Sequence, residues 1–261
     1  MAELNLADTI RRFDSAFRSC VEVSLTHADI AAPTQRHYWA SVLFTSICTR
    51  SASLLTVVPH STLAYKEIEN WDYAAVGMLV RSIFELRLTL YYLCVEDVSV
   101  DEWVCRLQLI HLHDCVSRQQ LFDDLGDLDN VTGFGRQAEE LRERLASNAF
   151  FTSLPERRQS QLLRGKTAFL NPLEGIAVAS GTDLRTFRVL YRFLSVNAHG
   201  LPMAFHRVGN NRGRGVRTDT EEGYIDLWVQ FAIDVLLEAR NEYTNIWSEL
   251  PLPLAQDERK V

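Results

Sequence analysis

Apolar residues return every three or four positions along most of the chain. Leu6, Ile10, Phe13, Phe17, Val21 and Leu25 form one such stripe and predict a first amphipathic helix. Pro33 and Thr34 open a second helix, which runs through Trp39, Val42, Ile47 and Leu54 and stops at Pro59. Asn70 stands where it would cap a third, from Trp71 to Val95. Ser99, with Glu102 three residues later, is a capping-box pattern that starts a fourth helix ending at Gly126. Gly126 to Gly135 reads as an acidic loop, and a charged helix from Arg136 to Ser147 follows it. Ser153 and Glu156 repeat the capping-box pattern around Pro155, which predicts a short helix to about Leu163. After a less regular stretch marked by Asn171, Pro172 and Gly181, a helix is expected from Asp183 to Ala198, closed by Gly200 and Pro202. A Gly/Arg loop from His206 to Thr218 leads to a last helix, Glu221 to Glu249. Its inward positions are Tyr224, Trp228, Phe231, Val235, Ala239, Tyr243 and Ile246.

No run alternates with the two-residue period of a strand, and no internal repeat is present. The expected fold is therefore all-α: a bundle of four to six long helices. We expect one domain over residues 1–261, with residues 126–181 as a less regular helical insertion and residues 256–261 as a flexible tail. A content of 47% hydrophobic and 23% charged residues is ordinary for a soluble globular chain. The first eight residues lack an apolar signal core. Tyr73 to Val95 is long enough to span a bilayer, but Arg81, Glu85 and Arg87 near its middle argue for a buried soluble helix. The five cysteines are widely spaced, with no metal or redox pairing, which suits reduced core thiols in a cytoplasmic protein.

Charge changes the picture. The chain carries 27 Lys+Arg against 34 Asp+Glu, a net charge of −7. Yet Leu184 to Thr218 holds no acidic residue and seven arginines: Arg185, Arg188, Arg192, Arg207, Arg212, Arg214 and Arg217. A basic strip on an acidic body attracts a phosphate-bearing partner to one place and repels it elsewhere.

Wound at about 100° per residue, Leu184 to His199 separates into stripes. Leu184, Phe187, Tyr191, Leu194 and Ala198 share the expected core face. Arg185, Arg188, Arg192, Ser195 and His199 share the next face, with Val189, Phe193 and Val196 beyond it. Arg192 and His199 are seven apart, so both project the same way, with Ser195 between them. A guanidinium can grip a phosphodiester in bidentate fashion, and an imidazole can move a proton at neutral pH. The structural alternative is a hydrogen-bonded histidine at a helix C-terminus and an arginine paired elsewhere.

In the apolar third helix, Arg81 and Glu85 lie one turn apart. Either Glu85 orients Arg192 or His199, or the two form a structural ion pair. Other patterns carry little. Gly165, Lys166 and Thr167 resemble the end of a P-loop, but Ser160 stands where glycine is required and no strand precedes it. His111 and His113, two apart on a helix, point to nearly opposite faces. Asp123, Asp124, Asp127 and Asp129 do not fit a calcium loop. No metal or cofactor is expected.

YRFLSVNAHG, from Tyr191 to Gly200, resembles the signature of the HEPN superfamily (higher eukaryotes and prokaryotes nucleotide-binding): an arginine, four to six residues, then a histidine on a late helix of a bundle. RSIFEL from Arg81, with these elements, also resembles an uncharacterised bacterial family of similar length with no established activity. The HEPN resemblance implies a helical bundle that often forms a homodimer, and in many members a metal-independent RNase of toxin or phage-defence systems. Carried over, Arg192 and His199 would be the catalytic pair. Ser195 and Asn197 would position phosphate or water, and Arg185, Arg188, Arg207, Arg212, Arg214 and Arg217 would hold RNA. Phe193 stands where active members often carry Asn, Asp or His. The second expectation is a non-enzymatic module that binds a nucleotide, nucleic acid or protein, with His199 structural. A structural dimer held in register by the polar stripe is a third.

Overall fold

The computed structural model describes residues 5–198, 202 and 217–248, and among these every regular element is a helix. They divide into two compact units, residues 1–95 with 180–261 and residues 96–179. The stretch expected as an insertion lies almost wholly within the second.

The first unit contains α1 (Leu6–Thr26), α2 (Gln35–Val57), α3 (Tyr73–Leu90) with a π-helical turn at Tyr91–Val95, α9 (Leu184–Ala198) and α10 (Asp219–Ser248). Thr34 caps α2, as the pattern indicates. The third helix begins later than Trp71, however, because Asp72 and not Asn70 accepts the amides of Ala74 and Ala75. Its expected last turn, Tyr91 to Val95, is π-helical and buries Tyr92, Leu93 and Cys94.

α10 packs against α1, α2 and α3. Beside α1 the Cys20 thiol meets the Leu236 carbonyl, and His27 stacks on Trp247 at 4.6 Å. Against α2, Phe44 stacks on Tyr243 at 4.2 Å, and the His37 ring lies 3.1 Å from the Ile246 carbonyl. α2 is long and apolar enough to cross a membrane by length and composition. In this unit its Ala40, Phe44, Ile47, Leu54 and Leu55 are buried among its neighbours.

Between α3 and α10 sits a buried cation. Arg87 is 3% exposed and donates to Glu242 at 2.5 and 3.3 Å, with Glu238 at 3.2 Å. Its remaining donors reach the hydroxyl and carbonyl of Ser180, where the chain re-enters this unit. Burial raises the Glu242 carboxyl above its ordinary value, against the pull of Arg87.

The second unit contains α4 (Val100–Asp124), α5 (Leu128–Ala146), α6 (Ala149–Ser153), α7 (Glu156–Leu162) and α8 (Leu173–Ala179). Ser99 caps α4, but the Glu102 carboxylate does not complete the box. It pairs instead with Arg106, which is 2% exposed and also held by Glu96 at 2.5 Å. The loop expected from Gly126 to Gly135 is mostly helix. Gly126 takes a left-handed φ of 75° and ends α4, and Asp127 at once caps α5 through the Asn130 amide. Gly135 sits inside that helix, where a Cβ would lie 3.0 Å from the movable amide end of Gln119. The second capping-box expectation fails as well: Ser153 ends α6 by bonding back to Phe150, and α7 begins after Pro155 with no side-chain cap. Cys105, Leu109, Leu112, Leu141, Leu145 and Phe151 centre the core of this unit.

All five cysteines are buried and none forms a disulfide. Burial pushes Cys20, Cys94 and Cys105 up to about 12 and Cys48 up to about 11. A thiol reagent at mildly alkaline pH should find almost no reactive cysteine in the native protein and all five after unfolding, counted by absorbance or mass. Rapid labelling of a native thiol would contradict this burial.

Replacing Arg87 with Met should cost about 3–5 kcal/mol in denaturant unfolding, because Glu242 would be left without its cation. The native state then holds the Glu242 proton more tightly than the unfolded state does. The deficit should therefore be greatest at neutral pH and shrink as pH falls towards the ordinary carboxylate range. A deficit independent of pH would exclude the buried carboxylate as its cause.

Candidate nucleic-acid interface on α9

Asp183 starts α9 by accepting the Thr186 amide at 2.8 Å and the Thr186 hydroxyl at 2.9 Å. These bonds hold its carboxyl below the ordinary carboxylate value. Phe187, Leu190 and Leu194 are buried, and Tyr191 is half-buried. The core stripe keeps Phe187 and Leu194 but is turned towards Leu190, which is inside, and away from Leu184, which is 37% exposed. This rotation leaves Arg185, Arg188 and Arg192 exposed in a row. Among the described residues Arg192 has no ion-pair partner.

α9 packs on α3 in the opposite direction, with Leu194 beside Gly77, Tyr191 beside Arg81 and Phe187 beside Phe84. Gly77 permits the approach, since a Cβ there would stand 3.2 Å from the Leu194 side chain and 3.8 Å from Trp228 Nε1. One turn further along α3, Arg81 bonds Glu85 at 2.9 Å, the Tyr191 hydroxyl at 3.0 Å and the Ser195 hydroxyl at 3.1 Å. Its guanidinium also lies over the Tyr191 ring at 4.6 Å. Burial lowers the Arg81 pKa, but Glu85 and Tyr191 outweigh it, so the net shift is upward. Glu85 therefore serves Arg81 within α3. Ser195 turns to α3 and also donates to the Tyr191 carbonyl at 2.6 Å.

Arg217 lies across Glu222 at 2.6 Å and over the Trp71 ring at 5.6 Å, so part of its charge is already matched. His199, Arg207, Arg212 and Arg214 lie outside the described residues, and so does the Asn197 side chain.

Residues 37–216 match DUF5677, a family of unknown function. The chain belongs to that family. The span matched to DUF5677 begins in α2, takes in α3 and α9, and leaves α1 and α10 outside it. No curated protein and no solved structure matches the chain.

Elsewhere in this DUF5677 protein, the remaining motif residues take structural parts. His113 lies 2.9 Å from the Gly165 carbonyl, while His111, its pKa lowered by burial, borders a recess beside Asp114. Among the described residues no three or more His, Cys, Asp or Glu side chains are grouped to hold a metal ion. Tyr191 was legible only as a core residue. Its link to Arg81 spans 110 positions and leaves no local signal.

Replacing Arg81 with Ala should cost about 1–3 kcal/mol, since Ser195 and the Tyr191 hydroxyl lose their shared donor. Hydrogen exchange should quicken across residues 184–198 and stay unchanged in residues 96–179. Unchanged exchange in α9 would show that Arg81 does not hold it.

Proposed function

We propose that this protein is a metal-independent, HEPN-like endoribonuclease, of the kind that serves toxin or phage-defence systems. The observation that carries the reading is the exposed row of Arg185, Arg188 and Arg192 on α9, which leads in sequence directly to His199. Three guanidinium groups on successive turns can follow a phosphodiester backbone. In this reading Arg192 stabilises charge on the phosphorane-like transition state. His199 takes the proton of a 2′-hydroxyl or gives one to the leaving oxygen. The neighbouring 2′-hydroxyl attacks phosphorus and the 5′-oxygen leaves, giving a 2′,3′-cyclic phosphate and a 5′-hydroxyl. Arg207, Arg212, Arg214 and Arg217 add backbone contacts. The reading places the protein in the cytoplasm as a homodimer, with RNA and no membrane as its partner.

A second reading is a module that binds a nucleotide, nucleic acid or protein without turnover. The engagement of Ser195 with Arg81 of α3 favours it, because neither is then directed to a substrate.

The deciding experiment incubates the full chain with RNA in EDTA and identifies product ends. Cleavage to cyclic phosphate, lost in His199→Ala while binding persists, is the expected result. Binding with no cleavage across diverse RNAs would favour the module. Each arginine that contacts phosphate should lower the log–log salt slope of binding by about one when replaced.

A further inference from the structure

The outer face of α9 carries more than charge. Arg188, Val189, Arg192 and Phe193 line an open recess of about 340 Å³. On a helix these positions form two adjacent columns, arginines on one side, Val189 and Phe193 on the other. Phe193 is half-buried, and its ring rests on Tyr224 at 5.0 Å and on Trp228 at 5.1 Å. Trp228 is itself only 2% exposed, so the backing is fixed. The recess falls near the small end of the roughly 300–1,000 Å³ range of ligand pockets, which suits one planar group better than an extended chain. An apolar wall beside two guanidinium groups matches an unpaired base joined to its phosphates.

We propose that this recess is a nucleobase subsite, in which an unpaired base of an RNA strand stacks against Phe193 and Val189 while Arg188 and Arg192 hold the adjoining phosphates. The inference rests on the RNA reading above and deepens it by naming the substrate class. In a duplex both faces of each base are covered by neighbouring bases, and only the phosphates remain for the arginines. Strands with unpaired bases are therefore selected. Every base has a π-face, so the subsite discriminates little among the four.

The test compares short oligoadenylate with an abasic ribose-phosphate chain of equal length and charge. Binding to the full-length His199→Ala protein is followed by fluorescence anisotropy in EDTA. Oligoadenylate should bind about 5- to 100-fold more tightly than the abasic chain. Adding Phe193→Leu should remove that difference, while Arg192→Ala should weaken both chains. Equal binding of the two chains overturns the subsite and leaves the phosphate-binding reading standing. No binding of either overturns both. A second measurement needs no substitution in the recess: RNA carrying 5-iodouridine, irradiated on the His199→Ala protein, should crosslink within the peptide containing Phe193. Crosslinks confined to other peptides would overturn the proposal.

Discussion

A buried guanidinium must keep its carboxylates, and in the first unit that requirement falls on Arg87. Its donors join α3, α10 and Ser180, so one side chain fixes where the chain returns after residues 96–179. From Ser180 only three residues lead to α9. The start of α9 is thus anchored by Arg87, and its later turns by Arg81 through Tyr191 and Ser195. Two arginines at successive intervals along α3 set both the position and the rotation of the helix that presents the basic row.

Much of this was legible in the residues. Period gave α1 and α10, and period with capping gave α2 and α4, almost to their ends, because each buries a stripe and opens on a side chain able to accept an amide. The failures share a cause. Gly126 and Asp127 compress a helix end and a helix start into two residues, which from sequence look like a loop. Glu102 had the spacing of a capping residue but was drawn to a buried arginine. Arg87 read as one charge in an apolar run, since its partner Glu242 lies 155 positions away.

The candidate site was legible as a row and not as a network. The seven arginines and the helical period brought Arg185, Arg188 and Arg192 together without knowledge of the fold. The turn that buries Leu190 and exposes Leu184 was not legible, because it goes with the contacts that Gly77 and Arg81 of α3 make with α9. The division of labour follows from exposure. Arginines packed between helices are matched by carboxylates or by hydroxyl groups, while Arg185, Arg188 and Arg192 on the outer face of α9 are exposed to solvent.

Gly77 has a consequence for how the sequence can vary. A helix interior loses stability at glycine relative to alanine, and at Gly77 that loss comes with a close helix contact. Here the space is taken by Leu194 and bordered by Trp228. The two positions therefore share one tight contact, and a larger residue at 77 requires the Leu194 side chain to give way by a few tenths of an ångström or to be smaller. Bulk at the two positions is therefore coupled, and added volume at one is best accommodated by lost volume at the other.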